Sequence, residues 1–370
     1  MGVSSMRVGV PKEIKNHEYR VGLTPPSVAE LVRHGHEVIV EASAGAGIDF
    51  SDQDYVEAGA RIVATPAEVF AQSDMIVKVK EPQPGEIALL EPRHLLFTYL
   101  HLAADKPQAE GLMRSGATCI AYETVTARDG SLPLLKPMSE VAGRMSIQVG
   151  AHYLEKEQGG RGVLLGGVPG VAPARVAILG GGVAGVNAAQ MAVGMRADVT
   201  VYDISNARLA ELDMFFGSQI KTAYASQAAI AAAVQRAHLV IGAVLIPGAA
   251  APKLVTREML KTMKRGSVLV DIAIDQGGCF ETSHATTHQD PVFEVEGVIH
   301  YCVANMPGAV ARTSAFALNN ATLPFAVKLA NLGAEAAMAA DPHLAAGLNV
   351  SGGHIRHQAV AEALALPFVA

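Results

Sequence analysis

The chain has 370 residues, of which 50% are hydrophobic and 17% are charged, and its formal net charge is −6. This length and composition predict two domains with large cores, and the dispersed charge, which includes no basic run, argues against a nucleic-acid partner. Because the apolar segments are short and interrupted and the three cysteines are far apart, we expect a cytoplasmic protein that does not associate with membranes.

Short β-branched runs alternate with helix-like stretches along the chain, which predicts an α/β fold with parallel sheets. The runs show no polar alternation, as is typical of strands covered on both faces. The first series of predicted strands is Arg7–Val10, Glu37–Val40, Met75–Val79, Leu95–Tyr99 and Thr118–Ala121. The second series is Val176–Leu179, Val199–Tyr202, Leu239–Ala243, Val268–Ala273 and Val298–Cys302.

Between the two series, the sequence predicts a long helix at Ser139–Glu157, followed by a glycine-rich loop over residues 159–173. The segment 311–370 is rich in Ala and Leu at helical spacing, and we expect it to return to the first domain. We therefore predict a discontinuous first domain, residues 1–138 with 311–370. A second domain would comprise residues 139–310, and both domains would be doubly wound.

The sequence VAILGGGVAG, residues 176–185, is typical of a dinucleotide-binding turn. Gly180 permits the tight turn, Gly182 lets the backbone approach a pyrophosphate, and Gly185 lets the following helix pack close to the strand. The helix N-terminus then offers N–H groups to the phosphates. The next predicted strand ends in Asp203, whose carboxylate would bind the ribose hydroxyls and repel a 2′-phosphate. The turn therefore predicts that residues 139–310 form a Rossmann domain that binds NAD rather than NADP.

The other loops of this sheet are expected to line the same ligand-binding crevice, because ligands of doubly wound sheets bind outside the carboxyl ends of the strands. The residues at those ends are Val244-Leu245, Asp275 and Asn305-Met306. Asp271 lies inside an apolar run and could equally be a hydrogen-bonded core acid. Asp275, which precedes Gln-Gly-Gly, is the better candidate for chemistry.

The same rule places three polar residues at one rim of the first sheet: Arg20, Lys80 and His101. Arginine can hold a carboxylate bidentately, lysine can hold it or polarise a carbonyl, and histidine can move protons near neutral pH. This set suits a small 2-oxo or 2-amino acid facing the nicotinamide, so we expect residues 1–138 with 311–370 to form the substrate domain. Simpler interpretations stay open, since His101 could be a core histidine, Lys80 a surface charge and Arg20 half of a salt bridge.

Several motifs together resemble the bacterial alanine dehydrogenase family, in the family's order, over about residues 6 to 330. They are RVGVPKEIKNHEYRVGLTP, VKVKEP, LHLAA, PLLKPMSEVAGR, GGVPGV, GGGVAGVNAAQMAVGM, VDIAIDQGGCFE and CVANMPGAV. The resemblance implies reversible oxidative deamination of L-alanine to pyruvate and ammonia with NAD. It also implies a homohexamer of two-domain subunits with the active site in the cleft between the domains.

Position by position, the resemblance implies that Arg20 and Lys80 bind the substrate and that His101 and Asp275 act as acid and base. The expected nucleotide contacts are Ser139, Gly180, Gly182, Val183, Ala184, Gly185, Asp203, Arg208, Val244, Leu245, Ile272, Asp275, Asn305 and Met306. No metal is expected, because the pairs His284/His288 and His354/His357 lack a companion glutamate or cysteine pair. The rival interpretations are the nucleotide-binding part of a transhydrogenase, a lysine- or saccharopine-type dehydrogenase, and an NAD-binding regulator without turnover.

Overall fold

The computed structural model describes residues 5–244 and 251–370. The chain divides into two compact units. The first unit comprises Met1–Met138 and Val310–Ala370, and the second comprises Ser139–Ala309. Within the described residues, no helix combines the length and the apolar character needed to cross a membrane.

Strands and helices alternate through most of the described chain. The strands are β1 (Arg7–Val10), β2 (Glu37–Glu41), β3 (Arg61–Val63), β4 (Met75–Val77), β5 (Leu95–Thr98), β6 (Thr118–Ala121), β7 (Arg175–Leu179), β8 (Asp198–Asp203), β9 (Lys221–Tyr224), β10 (Leu239–Gly242), β11 (Val268–Asp271), β12 (Val292–Val295), β13 (Val298–Tyr301), β14 (Leu348–Ser351) and β15 (His354–Ile355). The α-helices are α1 (Pro25–Arg33), α2 (Asp52–Glu57), α3 (Pro66–Gln72), α4 (Pro84–Ile87), α5 (Lys106–Ser115), α6 (Lys136–Tyr153), α7 (Val183–Gly194), α8 (Asn206–Phe216), α9 (Gln227–Arg236), α10 (Arg257–Leu260), α11 (Ala311–Leu332), α12 (Ala334–Ala340), α13 (Pro342–Ala345) and α14 (Gln358–Leu364).

The sheet of the first unit has the strand order β15-β14-β6-β5-β4-β1-β2-β3. Strands β1 to β6 are parallel and follow the doubly wound order 3-2-1-4-5-6, so the direction of winding reverses between β1 and β4. The C-terminal hairpin β14–β15 continues this sheet, because β14 pairs antiparallel with β6. The carboxyl ends of β1, β4 and β5 are therefore neighbours at one edge.

The sheet of the second unit has the order β12-β13-β11-β10-β7-β8-β9. Reading from β9 to β13, its six parallel strands repeat the order 3-2-1-4-5-6, with the reversal between β7 and β10. Strand β12 adds an antiparallel edge. The predicted α/β, doubly wound fold class is confirmed, but both sheets are mixed at one edge rather than wholly parallel.

Strand and helix ends differ from the sequence prediction where the chain turns out of a sheet. Strand β4 ends at Val77 rather than Val79, and β11 ends at Asp271, where a 3-10 helix, Ile272–Gln276, begins. The predicted helix Ser139–Glu157 begins three residues earlier and ends at Tyr153. Strands β3, β9 and β12 escaped prediction because they are short and half-exposed, so their apolar pattern is weak.

Candidate active site

The loop after β1 passes closely over the end of β4, at the point where the winding of the first sheet reverses. A methyl group at Gly22 would overlap the carbonyl oxygen of Val77, so only glycine allows this approach. The approach brings the loop that carries Arg20 to the strand end that precedes Lys80. Ligands bind at such reversal points in doubly wound sheets, which makes this edge the candidate substrate site of the first unit.

Arg20 is 2% exposed and is held by a buried ion pair with Glu18. Its Nε and Nη2 each donate to one Glu18 carboxylate oxygen at 2.7 Å, and its Nη1 lies 3.1 Å from Met138 Sδ. Burial alone would raise the pKa of Glu18, but the Arg20 hydrogen bonds outweigh it and lower that pKa. Arg20 therefore does form a salt bridge, as one sequence interpretation allowed, and the bridge fixes the plane of a charged guanidinium.

Lys80 is half-buried, and its backbone is fixed by Thr98, whose Oγ1 donates to the Lys80 carbonyl at 3.0 Å. Two residues earlier, Lys78 is completely buried between two carboxylates. Its Nζ lies 3.1 Å from Glu13 Oε2 and 2.9 Å from Glu86 Oε1. The other oxygen of Glu13 accepts the N–H between the two lysines, that of Val79, at 2.6 Å. A buried charge network thus anchors the segment that presents Lys80.

The charge state of this network follows from its contacts. Burial lowers the pKa of Lys78, but the carboxylates of Glu13 and Glu86 reverse that effect, so the pKa ends above its ordinary value and the amine stays protonated. Burial raises the pKa of Glu13 even though Lys78 opposes the shift. Sequence reasoning missed all three residues because their pairing joins three separate segments.

His101 is exposed, so it is not a histidine packed in the core. It follows β5 with φ of 51°, in the left-handed region, and a 3-10 turn, Leu102–Ala104, begins directly after it. Its ring stacks on Tyr99 with a centroid separation of 5.7 Å and an interplanar angle of 8°. Its backbone N–H donates to Glu123 Oε1 at 2.6 Å. The imidazole is thus presented at the same sheet edge as the Arg20 loop and Lys80.

In the second unit, the glycine turn has the geometry that a dinucleotide requires. Gly180 has φ of 105°, and a methyl group at Gly185 would overlap the Gly180 carbonyl oxygen. By contrast, a methyl group placed on Gly182, which precedes the first residue of α7, would have no described atom within 4 Å apart from its own chain neighbours. No side chain in the described part of the chain caps this helix N-terminus. Open space in front of uncapped N–H groups fits a pyrophosphate.

Asp203 ends β8 beside this turn. Its Oδ2 accepts the Gly181 N–H and its Oδ1 accepts the Ser205 N–H, both at 2.8 Å. Arg208 Nε donates to the Gly181 carbonyl at 2.6 Å, and Arg208 also pairs with Glu211 at 2.6 Å. The structure therefore brings Asp203 and Arg208 to the glycine turn, where a carboxylate suits unphosphorylated ribose.

The structure distinguishes the two candidate acids after β11. Asp271 is fully buried and accepts hydrogen bonds from Ser283 Oγ at 2.5 Å, Cys279 N at 3.0 Å and Ala273 N at 3.1 Å. Burial raises the pKa of Asp271. Asp275 is exposed within the 3-10 helix Ile272–Gln276. Asp271 is thus the hydrogen-bonded core acid, and Asp275 is the carboxylate that a ligand can reach.

The remaining expected nucleotide contacts are distributed over several ends of elements in the second unit. Ser139 is half-buried on α6, Val244 follows β10, and Ile272 is half-buried at the start of the 3-10 helix. Leu245 lies outside the described residues. Asn305 has φ of 60°, its carbonyl accepts from His288 Nε2 at 2.9 Å, and the following Met306 is buried. Within residues 5–244 and 251–370, no group of three or more His, Cys, Asp or Glu side chains is placed to hold a metal ion.

The two units thus carry different chemistry. In the first, an oriented guanidinium, an ammonium group and an exposed imidazole follow neighbouring strands, which suits a small carboxylic acid that must exchange protons. In the second, the glycine turn, its uncapped helix and Asp203 suit a dinucleotide.

Comparison with known proteins agrees with this division. The models of the "Alanine dehydrogenase/PNT" family match residues 9–142 with the N-terminal domain and residues 146–358 with the C-terminal domain. Alanine dehydrogenase of Halomonas elongata is 61% identical over 364 residues, which are 98% of each chain. Alanine dehydrogenase of Bacillus subtilis is 55% identical over 365 residues, 98% of this chain and 96% of that one.

Two solved structures are also similar over nearly the whole chain. An L-alanine dehydrogenase superposes with a TM-score of 0.95 at 55% identity, covering 97% of this chain and 99% of that one. A transhydrogenase from Sinorhizobium meliloti superposes with a TM-score of 0.82 at 28% identity, covering 95% and 99%.

Proposed function

Because the chain belongs to the alanine dehydrogenase/PNT family, we propose that it catalyses the reversible, NAD-dependent oxidative deamination of L-alanine to pyruvate and ammonia. The observation that carries this proposal is the 61% identity to an alanine dehydrogenase over 98% of both chains. The transhydrogenase of known structure is only 28% identical, which favours the dehydrogenase activity.

The second unit, Ser139–Ala309, is the NAD-binding domain in this proposal. Gly180, Gly182 and Gly185 admit the pyrophosphate, and the N–H groups of Val183 and Ala184 receive it. Further contacts come from Asp203 to the ribose and from Ser139, Arg208, Val244, Leu245, Ile272, Asp275, Asn305 and Met306. When bound, NAD accepts the hydride that leaves Cα of alanine.

The first unit is the substrate domain in this proposal. Arg20 holds the substrate carboxylate through its guanidinium, and Lys80 supplies a second cation. The ion pair with Glu18 fixes the Arg20 side chain, and Thr98 and the Lys78 network fix the backbone at Lys80. A rigid pair of cations lowers the entropy lost when a small acid is oriented.

His101 and Asp275 carry the protons. Loss of hydride from neutral alanine leaves an iminium ion, and water then adds to its carbon while His101 or Asp275 accepts the water proton. The same group then returns this proton to the amino nitrogen of the carbinolamine, and ammonia leaves as the hydroxyl proton is lost to solvent, which gives pyruvate. Because the amine must be unprotonated before hydride leaves, the rate of deamination rises with pH.

The proposal also covers the oligomeric state and the cellular location of the protein. We propose a homohexamer. Exposed apolar residues such as Ile204, Met214 and Phe215 support the burial of surface between subunits. Native mass spectrometry would test the oligomeric state. Cys119, Cys279 and Cys302 are unpaired and buried, which supports a reducing cytoplasm, tested by cell fractionation. In the oxidative direction, the reaction would serve amino-acid catabolism.

The activity is tested by following NADH consumption with pyruvate and ammonium, omitting each in turn, with NADPH in a parallel series. The proposal predicts oxidation of NADH only when pyruvate and ammonium are both present. Oxidation without ammonium would indicate a 2-hydroxy-acid dehydrogenase. Binding of NADH with no oxidation would favour a transhydrogenase-like protein or a regulator and would overturn the proposal.

A further inference from the structure

We infer that Glu123 is a positioning residue for His101: its carboxylate fixes the backbone conformation that presents the imidazole. The inference rests on the proposed function, in which His101 moves protons. It also gives a role to the C-terminal helix α14, which the sequence motifs left unexplained.

The Glu123 carboxylate binds the chain at two successive N–H groups. Oε1 accepts the His101 N–H at 2.6 Å, and both oxygens lie within 3.3 Å of the Leu100 N. Glu123 itself lies in the 3-10 turn that follows β6, the strand next to β5. The carboxylate therefore spans two adjacent strand ends and ties the chain that leaves β5 to the end of β6.

These hydrogen bonds act at His101, whose backbone conformation is strained. His101 has φ of 51°, and non-glycine residues adopt the left-handed region only at a cost in conformational energy. A charged acceptor at 2.6 Å offsets that cost, because hydrogen bonds to ionised groups are stronger than neutral ones. If the carboxylate is removed, the His101 backbone relaxes and the imidazole leaves its position stacked on Tyr99.

Helix α14 supports the same turn through apolar contacts. It packs against the 3-10 turn Leu102–Ala104, and Val360 and Leu364 share one buried cluster with Leu100 and Leu102. At its N-terminal flanking residue, His357, burial lowers the pKa, and the charge of the Glu123 carboxylate opposes that effect. The His101 turn is thus held by a carboxylate and by the buried apolar face of a helix, both within the first unit.

The test compares Glu123→Ala and Glu123→Gln with wild type in the pyruvate–ammonium assay. Alanine removes the acceptor and should lower kcat on the order of 10²-fold, since small displacements of a catalytic group cost about that much. KM for pyruvate should change little, because Arg20 and Lys80 keep their own supports. Glutamine retains one acceptor oxygen and should recover most of the lost kcat. NADH affinity, a property of the second unit, should not change.

Glu57→Ala is the matched control, since Glu57 is an exposed glutamate of the same unit that bonds to Gln53. It should leave kcat at the wild-type value. Should Glu123→Ala fail to fold, Glu123→Asp retains the charge but shortens the reach, and it should lower kcat at constant KM.

An unchanged kcat in the Ala or Asp variant, or a Gln variant as impaired as Ala, would overturn the inference. Lack of activity in the wild-type enzyme would instead overturn the proposed function, so the two failures are distinguishable.

Discussion

Arg20 and Glu18 are two residues apart and are joined by two parallel hydrogen bonds of 2.7 Å in a site where both side chains are buried. The bridge orients the guanidinium before any ligand arrives. In our proposal, the same planar group holds the substrate carboxylate, so the ion pair is part of the binding site rather than an alternative to it.

Replacing Arg20 with lysine retains the charge but loses the planar fork. We expect KM for pyruvate to rise roughly 10- to 100-fold, since hydrogen bonds to charged groups contribute about 1.5–3 kcal/mol. Steady-state kinetics would measure this, with Arg7→Lys, at an exposed pair with Asp74, as the control. A wild-type KM in Arg20→Lys would show that the guanidinium serves only Glu18.

The Lys78→Met variant should be less stable by about 3–5 kcal/mol, because it leaves Glu13 and Glu86 buried without their cation. Its loss of stability should grow as pH rises. A carboxyl group whose pKa is raised on folding stabilises the fold while it is protonated, and this contribution is lost as pH rises through the raised pKa. The pKa of Glu13 is already raised, and removing the positive charge of Lys78 would raise it further. Urea unfolding at acidic and at neutral pH would measure this effect. A pH-independent loss would contradict it, and Lys15→Met, at a half-exposed pair with Glu81, is the control.

Two glycines of the turn should respond in opposite ways to the same added methyl group. Gly185→Ala should destabilise the second unit by about 1–3 kcal/mol, because the methyl group meets the Gly180 backbone. Gly182→Ala should leave the melting temperature unchanged, since the space is open, but should weaken NADH binding if the pyrophosphate lies there. Thermal unfolding and NADH titration would separate the two effects. Undiminished NADH affinity in Gly182→Ala would place the pyrophosphate elsewhere.

Asp203→Asn should raise the preference for NADPH relative to NADH. The substitution removes the negative charge that opposes a 2′-phosphate, while Arg208 stays next to the turn. The ratio of kcat/KM for the two cofactors is the measurement, and Asp213→Asn on the exposed face of α8 is the control. An unaltered ratio would mean that another group excludes NADPH.

Asp275 and Asp271 offer a matched pair of acids four residues apart. Asp275→Asn should lower kcat about 10²- to 10⁴-fold with little loss of stability, as expected for an exposed proton-transfer group. Asp271→Asn should cost about 1–3 kcal/mol of stability, because its carboxylate satisfies Ser283, Cys279 and Ala273. Measurements of kcat and of the free energy of unfolding on both variants would test this assignment. A loss of stability in Asp275→Asn together with a loss of kcat in a stable Asp271→Asn would show that the two roles are exchanged.

The fold class was predictable because the strands of both sheets are short apolar runs with local signals, above all the glycine turn before α7. The antiparallel edges were not predicted. Strand β14 pairs with β6, which is more than 200 residues away in the sequence, and β12, although it pairs with the adjacent β13, is half-exposed and has a weak apolar pattern. Residue types and their place at strand ends were enough to nominate Arg20, Lys80, His101 and Asp275.

The residues that hold these groups in place could be identified only from the structure. Lys78 lies in a run that reads as strand up to Val79, yet the strand ends at Val77 and the lysine turns inward to meet carboxylates from two other segments. The left-handed backbone of His101 likewise has no local sequence signal, because Glu123, 22 residues further along the chain, stabilises it. Such long-range polar pairs leave no periodic pattern in a sequence.

The most direct test of the central claim is the fate of the Cα hydrogen of alanine. The enzyme would be incubated with NAD and L-alanine deuterated at Cα, and the NADH formed would be analysed by mass spectrometry. The account predicts one deuterium in each NADH, with pyruvate and ammonia formed in equal amounts. NAD binding without deuterium transfer would contradict it.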